Sequence, residues 1–448
     1  MTYTVYHGDC LEVLPTLSAD SVDTIITDPP YGLEFMGKDW DHGVPGEHFW
    51  REALRVAKPG AMLLAFGGTR THHRLMVAIE DAGWKIRDVI MWVYGNGFPK
   101  SHDISKAIDK AAGAEREVFG NGKGRTGQAA QPNGASFSDD NYQWPGKFDI
   151  TAPATPAAQL WDGWGTALKP AWEPIIVAMK PTDGTFANNA LAHGVAGLWV
   201  DGGRVGTKNT IRISNAGTNG DGWGMGKRAH LNGSSSGRWP ANLIHDGSDE
   251  VLRLFPTTGV SRVSMRGERD GHGTIYGNGK GLTGSDSLRG HDDTGGSVAR
   301  FFYCAKASRA ERDAGLAEMQ TSDVSIGDRR PSGSISQRIH ADEGRPDTKG
   351  KNLHPTVKPI ALARYLARLT KTPTGGVMLD MFAGSGSLGC GGLLEGRDVI
   401  VIEQEATYIP IIEARLKHWQ TVARQEAGEV EPPGSQESGQ LALWDLQR

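Results

Sequence analysis

The sequence is poor in cysteine and in long apolar runs. Its three cysteines, Cys10, Cys304 and Cys390, are far apart among 448 residues, with neither a C-x-x-C pair nor a histidine pattern beside them. This spacing favours neither a disulfide scaffold nor a zinc site, and a reducing cytosol is the natural setting. No apolar run approaches the roughly 18–20 residues that span a bilayer. The N-terminus also lacks the basic-then-apolar order of a signal peptide, so we expect a soluble, cytoplasmic protein.

The chain also lacks the strong positive charge of a protein that binds nucleic acid through bulk electrostatics, since its formal net charge is −4. The distribution is uneven, because residues 201–358 carry 23 basic and 18 acidic side chains while both ends of the chain are acidic. This surplus lies where a segment that contacts nucleic acid would sit between two halves of a core. Ordinary surface charge on a long polar region explains it equally well.

Strand and helix patterns occupy both ends of the chain. In the first hundred residues, strands are predicted at Val22–Thr27, Ala61–Phe66 and Ile86–Val93, with helices at Glu47–Lys58 and Thr69–Ala82 between them. After Pro359 a helix to Leu369 precedes two strands, Val377–Met381 and Val399–Glu403, which are followed by helices to Glu395 and Leu416. The alternation predicts a parallel sheet with helices on its faces, whose two halves come from opposite ends of the chain.

The middle of the chain is rich in Gly, Ser, Asn and Asp and predicts long loops. Four apolar islands within it are plausible strands: Trp172–Met179, Leu198–Val200, Trp239–Ile244 and Phe301–Ala305. From about Gln425 onwards the polar composition predicts a disordered tail.

A glycine-rich turn joins a predicted strand to the helix after it. The run M-L-D-M-F-A-G-S-G-S-L-G ends at Gly389, and Gly384 and Gly386 permit a tight turn that approaches a ligand closely. The helix start presents free N–H groups, and Glu403 at the end of the next strand is placed to accept ribose hydroxyls. Asp380 suits the amine of S-adenosylmethionine, whereas a dinucleotide offers no such amine. The turn alone leaves NAD, FAD and S-adenosylmethionine open.

The loop T-D-P-P-Y-G at Thr27–Gly32 favours the last of these cofactors. Pro29 and Pro30 fix the backbone, so that the Asp28 carboxylate and the Pro29 carbonyl can each accept one N–H of an exocyclic aromatic amine. Such an amine is a poor nucleophile, and two fixed acceptors draw its nitrogen towards sp³ and aim the lone pair at a sulfonium methyl. Tyr31 is placed to stack on a base that has left its duplex. Taken alone, the four residues also fit a simple proline turn.

With both motifs in this order, the sequence resembles the DNA amino-methyltransferases, specifically the circularly permuted group in which the catalytic motif precedes the cofactor motif. The resemblance covers roughly residues 3–100, 165–180 and 352–418, and it is to phage-type members with large insertions. It implies an α/β, Rossmann-like fold with a mostly parallel, doubly wound sheet and a loop-rich central insert. It also implies S-adenosylmethionine as cofactor, S-adenosylhomocysteine as product, and no metal.

Three further segments resemble motifs of this family. H-G-D-C-L-E-V-L, which begins at His7, resembles the segment whose acid, here Asp9, meets the cofactor adenine. F-G-G-T at 66–69 resembles a segment that flanks the target-base pocket, and H-P-T-V-K-P at 354–359 resembles the segment that closes over the methionine moiety. Asp9 would equally cap a helix that begins near Cys10, and H-P-T-V-K-P would equally form a rigid turn.

The resemblance assigns roles residue by residue. It assigns the transfer to the loop residues Asp28, Pro29, Pro30 and Tyr31. It places at the cofactor Asp9, Asp28, Thr356, Lys358, Asp380, Phe382, Ala383, Gly384, Ser385, Gly386, Glu403 and Gln404. It divides the chain into a catalytic half of the core (1–112), a loop-rich insertion (113–164), a core strand segment (165–181), a target-recognition region (182–351), a cofactor-binding half (352–420) and a tail (421–448).

The reaction so implied is site-specific methylation of adenine N6 in double-stranded DNA, by a monomer or a dimer. Cytosine N4 is the nearest alternative because the same acceptors serve both amines, although an acidic residue such as Asp28 is more often found with adenine. RNA, protein glutamine and a non-catalytic binding role also stay open. The insert matches no known recognition domain. Its arginines could contact phosphates or base edges, although each taken alone is more often a solvated surface residue: Arg204, Arg228, Arg238, Arg262, Arg266 and Arg269.

The tail carries one further pattern. Gln440–Trp444, Q-L-A-L-W, resembles the short peptide by which bacterial DNA-processing proteins dock on the sliding clamp. A chance occurrence of the pattern, or packing of this apolar cluster onto the core, is at least as good an interpretation.

Overall fold

The computed structural model of the chain describes residues 1–33, 43–95, 97, 101–123, 147–211, 235–260, 264–265, 288–289, 295–305, 309–317, 352, 354 and 356–429. The strands in these ranges are, in chain order, β1 (Tyr3–His7), β2 (Val22–Thr27), β3 (Ala57–Phe66), β4 (Lys85–Val93), β5 (Val118–Lys123), β6 (Lys147–Thr151), β7 (Trp172–Met179), β8 (Val205–Ile211), β9 (Ser235–Arg238), β10 (Leu243–His245), β11 (Thr257–Thr258), β12 (Ser264–Met265), β13 (Leu288–Arg289), β14 (Gly296–Ser297), β15 (Tyr303–Cys304), β16 (Val377–Asp380) and β17 (Asp398–Glu403).

The α-helices of the same ranges are α1 (Cys10–Val13), α2 (Glu47–Val56), α3 (His72–Asp81), α4 (Ile104–Ala111), α5 (Pro156–Leu160), α6 (Phe186–His193), α7 (Asp249–Leu252), α8 (Arg309–Asp313), α9 (Ile360–Leu369), α10 (Ser387–Leu394) and α11 (Ile409–Glu426). Short 3₁₀ turns lie at Leu14–Thr16, Val298–Phe301 and Ala406–Tyr408.

Nine strands form the main sheet, in the order β1-β17-β16-β2-β3-β7-β4-β10-β15. All neighbours pair in parallel except β7, which runs antiparallel to both β3 and β4. The start of β7 therefore lies at the same edge of the sheet as the carboxyl ends of β2, β3, β4 and β16. The predicted α/β class with a mostly parallel sheet is confirmed.

Side chains alternate between two cores, one on each face of the sheet. On β2, Ile25 faces the core that includes Trp50 of α2 and Leu75 of α3, whereas its neighbour Ile26 faces the core built from α9, α10 and α11. This alternation follows from the period of two along a strand. Helices therefore cover both faces, as in a doubly wound sheet, and β2 lies in the interior with all six residues buried.

The packing of α9 against α10 depends on close backbone approach. Both helices lie in the core, and every residue of α10 is buried. A Cβ atom at Gly391 would lie 2.4 Å from the carbonyl carbon of Ala363, so a side chain at this position would force the two helices apart. The lack of a side chain at Gly391 therefore lets α10, the helix that follows the glycine-rich turn, pack closely against α9.

The sheet changes its direction of winding between β2 and β16. The chain leaves β16 through α10 to reach β17 on one side, and it leaves β2 through α2 to reach β3 on the other side. Ligands of open α/β sheets bind in the crevice outside the carboxyl ends of the strands at such a switch point. Both motifs singled out in the sequence, the D-P-P-Y loop and the glycine-rich turn, begin at this crevice.

The strands predicted at both ends of the chain are confirmed, with shifted boundaries. β3 begins at Ala57 rather than Ala61, so the helix before it ends at Val56. The strand β1 was not predicted; it pairs with β17 from Tyr3↔Val399 to His7↔Glu403 and forms one edge of the sheet.

Two predictions from sequence are wrong. Leu198–Val200 is not a strand: Trp199 donates its N–H to the carbonyl of Leu369, and the backbone folds into turns at this point. The last helix does not end near Leu416 but continues to Glu426, because Trp419 and Val422 pack against the core and Ala423 is buried in it.

The polar middle contains more regular structure than predicted. Two of the predicted apolar islands contain strands that are shorter than expected. β10 overlaps only the end of Trp239–Ile244, β15 lies within Phe301–Ala305, and both strands extend the main sheet beyond β4. Four two-stranded antiparallel ribbons also form, β5 with β6, β8 with β9, β11 with β14 and β12 with β13.

Candidate active site

The D-P-P-Y loop leaves β2 at the centre of the sheet. Thr27, the last residue of β2, donates its hydroxyl to Oδ1 of Asp380 across 2.8 Å, which ties this strand to the strand that carries the glycine-rich turn. Pro29 is buried behind the loop. The hydroxyl of Tyr31 donates to Oδ1 of Asp28 at 2.8 Å, so the loop closes on itself.

Two residues from distant parts of the chain complete this loop. The ammonium of Lys358 lies 2.9 Å from Oδ2 of Asp28 and 3.1 Å from Oε2 of Glu173, and it donates to the hydroxyl oxygen of Tyr31 at 3.1 Å. Glu173, the second residue of β7, also lies 3.3 Å from the Tyr31 hydroxyl. Lys358 and Glu173 are buried, and the Lys358 Nζ sits 4.8 Å from the centre of the Phe66 ring.

Burial and charge shape the ionisation of this cluster. Burial raises the pKa of Glu173, and the nearby Asp28 adds to that rise, while Lys358 acts against it. Burial would lower the pKa of Lys358, but Asp28 and Glu173 outweigh it and the pKa is raised, so this side chain stays an ammonium. Burial, together with Asp28 and Glu173, raises the pKa of Tyr31 well above its usual value, so its hydroxyl keeps its proton.

The glycine-rich turn after β16 forms a tight cradle. Gly384 and Gly386 have φ angles of 54° and 72°, a region that favours glycine. The N–H of Gly384 donates to Oε2 of Glu403 at 2.6 Å, so the acid at the end of β17 lies directly over the turn. A Cβ atom at Gly384 would lie 2.8 Å from Nε2 of His354. There is therefore no room for a side chain at Gly384, where the backbone of the turn lies close to the His354 ring.

Asp380 has one satisfied oxygen and one without a partner. Its Oδ1 accepts from Thr27 at 2.8 Å and from the N–H of Phe382 at 3.3 Å. Among the described residues, none donates a hydrogen bond to Oδ2. Burial raises the pKa of this carboxyl to about 7, and the charges of Asp28 and Glu403 add to the rise. A buried carboxylate oxygen without a donor suits a cationic group of a ligand, such as the amine of S-adenosylmethionine.

The other residues assigned to the cofactor lie around this crevice with differing orientations. Asp9 caps α1 by accepting from the N–H of Leu11 at 2.8 Å, and the preceding Gly8 donates to the carbonyl of Glu403. Asp9 therefore follows β1 beside the end of β17, where a cofactor adenine and a helix cap are both compatible with it.

The turn residues Phe382, Ala383 and Ser385 are held by the protein itself. Phe382 has its ring centre 6.0 Å from that of Phe49, and Ala383 donates its N–H to the carbonyl of Ile402. Ser385 is buried, and its hydroxyl lies 3.1 Å from that of Ser387. Gln404 is exposed directly after β17.

The H-P-T-V-K-P segment bridges the two halves of the site. His354 and Thr356 lie at the turn, where the His354 ring packs edge-on against Tyr408 and its Nδ1 lies 2.8 Å from the Thr356 carbonyl oxygen. Lys358, four residues on from His354, pairs with Asp28 of the D-P-P-Y loop at 2.9 Å. Burial lowers the pKa of His354 to about 4, so its ring is neutral near pH 7.

The F-G-G-T segment follows β3 on the other side of the loop. Phe66 is fully buried, and a Cβ atom at Gly68 would lie 3.3 Å from Cβ of Tyr31. An open pocket beside it is lined by Gly32, Leu33, Arg70 and Thr71. The segment therefore lies next to the ring that was predicted to stack on a target base.

Glu173 and His354 are the residues that sequence reasoning missed as parts of the site. Trp172–Pro181 was taken only as a core strand, although a charged residue beside a proline at the start of a buried strand is a recognisable anomaly. His354 belongs to the motif H-P-T-V-K-P, from which only Thr356 and Lys358 were assigned to the site.

Several sequence predictions lie on residues that the structure does not describe. These are the sliding-clamp peptide Gln440–Trp444 and four of the arginines, Arg228, Arg262, Arg266 and Arg269. Of the remaining two, Arg204 pairs with Asp201 at 2.7 Å, and the guanidinium of Arg238 lies 3.6 Å from the centre of the Phe301 ring.

Within the described ranges, no cluster of three or more His, Cys, Asp or Glu side chains is arranged to hold a metal ion. A search of those same ranges found no helix with the length and apolarity that crossing a bilayer requires.

Comparisons with known proteins agree with this geometry. Type II methyltransferase M.HindIII of Haemophilus influenzae is 24% identical over 242 residues, which cover 44% of this chain and 64% of that protein. Type II methyltransferase M.BamHI of Bacillus amyloliquefaciens is 34% identical over 73 residues, 14% of this chain and 16% of that protein. The chain thus spans less than two thirds of the length of these curated relatives.

Two solved structures show looser likenesses. The M1.HpyAVI–SAM complex shares 13% identity at a TM-score of 0.35 and covers 93% of this chain and 99% of its own. The cytosine-N4-specific PvuII DNA methyltransferase shares 11% identity at a TM-score of 0.38 and covers 96% of this chain and 94% of its own. Neither superposition is close enough to transfer a residue role or a target base.

A family model for DNA methylases, N6_N4_Mtase, matches residues 22–195 and 278–414. The match covers more than half of the chain and includes both the D-P-P-Y loop and the glycine-rich turn. By that match, this chain belongs to the N6/N4 DNA methylase family.

Proposed function

We propose that this chain transfers a methyl group from S-adenosylmethionine to the exocyclic N6 of adenine in double-stranded DNA. The observation that carries the proposal is the pairing of two aspartates at one crevice. Asp28 follows β2, Asp380 ends the neighbouring β16, and the hydroxyl of Thr27 joins the two strands by its bond to Asp380. An acceptor for an amine substrate and a site for a cationic cofactor are thereby adjacent.

The residues around the turn fit the cofactor. S-adenosylmethionine supplies, when bound, a methyl group on a positively charged sulfur and leaves as S-adenosylhomocysteine. The unpartnered Oδ2 of Asp380 would accept from its amine, and Glu403 would accept from its ribose hydroxyls. Asp9, which follows β1 beside the end of β17, would accept from the adenine amino group.

The D-P-P-Y loop would prepare the target amine. A base inside a duplex is out of reach, so the target nucleotide has to leave the stack, and the ring of Tyr31 offers a surface on which the base can lie. Asp28 and the Pro29 carbonyl would then accept the two N–H groups, which restores lone-pair density to the nitrogen. The carboxylate of Asp28 has about four acceptor positions and the bonds from Tyr31 and Lys358 use two. Asp28 would therefore also have a free position for the proton that the amine loses on methylation.

The choice of adenine rests on the residue type at position 28. The same acceptors would serve N4 of cytosine, and an aspartate is more often found with adenine. The order of the chain, in which β2 precedes β16, supports the circularly permuted arrangement.

The identity of the methylated nucleoside tests the proposal. Purified protein is incubated with S-adenosylmethionine labelled in its methyl group and with equal amounts of duplex DNA, RNA and protein substrate, and the products are digested. We expect N6-methyladenine from DNA. N4-methylcytosine would replace the assignment of the base, and label in RNA or protein alone would overturn the assignment of the polymer. Modification-sensitive sequencing of DNA from cells that express the protein then reports the site.

A further inference from the structure

We propose that Glu173 and Lys358 form a positioning pair that sets the charge and orientation of Asp28 during methyl transfer. The inference deepens the proposed function and rests on it. It begins from a contact that the sequence motifs do not contain, the approach of β7 and of the segment before α9 to the D-P-P-Y loop.

The first argument is geometric. An ammonium has three N–H donors, and Lys358 has three oxygen neighbours in the cluster: Asp28 Oδ2 at 2.9 Å, Glu173 Oε2 at 3.1 Å and the Tyr31 hydroxyl at 3.1 Å. Every donor of this buried group is therefore matched, which fixes its neighbours in one arrangement. The Tyr31 hydroxyl in turn donates to Asp28, so the carboxylate is held from both of its oxygens.

The second argument is electrostatic. The cluster contains two carboxyl groups and one ammonium, and it has one net negative charge when both carboxyl groups are ionised. Positive charge develops on the target amine as it gains the methyl group, and a fixed negative charge beside it lowers the barrier. Without Glu173, Lys358 would neutralise Asp28. Without Lys358, the buried carboxylate of Glu173 and the partly buried carboxylate of Asp28 would face each other across the Tyr31 hydroxyl, and one would tend to hold a proton.

Among the residues that the structure describes, three other titratable groups face the cluster. His354 is neutral near pH 7 because burial lowers its pKa to about 4. Tyr94 is neutral because burial and the charge of Glu173 raise its pKa. Asp380, whose pKa burial raises to about 7, titrates in the experimental range. Its effect on cofactor affinity is removed when kcat is measured at saturating cofactor.

The test compares the pH dependence of kcat in Glu173→Gln, Lys358→Met and the double variant. The acid limb is the part of the profile in which kcat falls as the pH is lowered. In Lys358→Met this acid limb should move to higher pH by about one unit or more, because the two carboxylates of the cluster then lack a cation. In the double variant, Glu173→Gln removes one of those carboxylates, so the acid limb of kcat should return most of the way to its wild-type position. Glu173→Gln alone should lower kcat about tenfold or more and move its limb to lower pH. The dissociation constant of S-adenosylmethionine should stay within about threefold in all three.

A matched control breaks an ion pair at the other end of β2. Lys58 pairs with the buried Asp23 at 2.8 Å, at the end of the strand opposite to the loop. Lys58→Met should cost stability in urea unfolding and leave the acid limb of kcat in place. Lys358→Arg, which keeps the positive charge, should retain a limb close to that of the wild type.

Coincident acid limbs in Lys358→Met and the double variant would overturn the inference, since the position of the limb would then owe nothing to Glu173. Should Lys358→Met fail to fold, Glu173→Gln decides alone, and an unchanged kcat with an unchanged limb would count against the pair. Failure of the proposed function has a different signature, a wild-type protein that transfers no methyl group to DNA.

Discussion

Asp28 and Asp380 follow or end neighbouring strands at the same crevice, and the protein surrounds them differently. Asp28 is held by a hydroxyl on one oxygen and an ammonium on the other. Asp380 is fully buried, receives a hydroxyl and a backbone N–H on one oxygen only, and has a pKa raised to about 7 by burial. No described residue bonds to its second oxygen.

The difference shows how one crevice can serve two chemical tasks. In the proposed reaction the acceptor that orients the amine has to be fixed before the substrate arrives, and Lys358 and Tyr31 hold Asp28 in this way. A carboxylate that binds a cationic ligand has to leave an oxygen unsatisfied, at a cost to the folded state that the ligand can offset. We therefore read the first aspartate as preorganised by the protein and the second as completed by the cofactor.

Replacing Asp28 tests the first half of this comparison and should have the largest effect. In Asp28→Ala the target amine loses its carboxylate acceptor, and removal of a fixed group of this kind costs about a hundred- to a thousandfold in rate. Cofactor affinity, measured by calorimetry, should stay close to that of the wild type. Retained methyl transfer would show that the catalytic loop lies elsewhere.

Asp380→Asn should have the converse effect. The amide keeps an acceptor for Thr27 but loses the charge that the cofactor amine requires, so we expect about 10- to 100-fold weaker binding. At saturating cofactor, kcat should change much less. A variant that binds S-adenosylmethionine as tightly as the wild type would separate Asp380 from the amine.

The pH dependence of cofactor binding sharpens the same point. Since Asp380 has to ionise to bind a cation, affinity should fall as the pH drops below about 7, by about tenfold per unit. In Asp380→Asn the profile should be flatter. Calorimetric titrations between pH 5.5 and 8.5, with buffers of matched ionic strength, would show whether the slope depends on this residue.

The same carboxyl predicts an effect on stability with a defined sign. Its pKa in the folded state lies above the ordinary value of 3.8, so the folded state holds the proton more tightly than the unfolded chain. The contribution of Asp380 to the stability of the wild type should therefore fall as the pH rises from about 4 to about 7. Asp380→Asn should melt at a higher temperature than the wild type at pH 8, and the difference should shrink at pH 5; no difference at pH 8 would contradict the assigned burial.

The smallest effect concerns the cradle beside Asp380. Gly384→Ala adds a Cβ atom 2.8 Å from the buried ring of His354 at a φ of 54°. Gly396→Ala is the control, because its φ is 73° and its nearest neighbour is 3.9 Å away. Both should lose about 1 kcal/mol of stability from the backbone, and only Gly384→Ala should also weaken cofactor binding severalfold. Equal binding by the two variants would remove the turn from the cofactor site.

The sequence predicted the parts of the site that depend on local pattern. The strand Val22–Thr27 and the loop after it, and the strand before Gly384 with the helix after it, are placed as expected. A strand that is buried on both faces appears in the sequence as a continuous apolar run, and a tight turn appears as glycine. Both patterns are local and can be recognised without knowledge of the fold.

The partners of the loop could not be predicted in this way. Glu173 is 142 residues from Tyr31, and Lys358 is 327 residues from it. Glu173 reaches the crevice only because β7 runs antiparallel to its neighbours, which brings its first residues to the edge where β2 ends. Nothing local to the sequence W-E-P encodes that direction, since strand pairing depends on contacts between distant segments.

The sequence itself therefore determined the D-P-P-Y loop, the glycine-rich turn and the class of chemistry that they favour. The reason is that this chemistry depends on which functional groups each motif contains and on their spacing along the chain. Tertiary structure alone decided which charges surround each aspartate. It gave Asp28 a cation and a hydroxyl, and it left one oxygen of Asp380 without a donor among the described residues. The ionisation of a buried carboxylate depends on such neighbours rather than on its place in the chain.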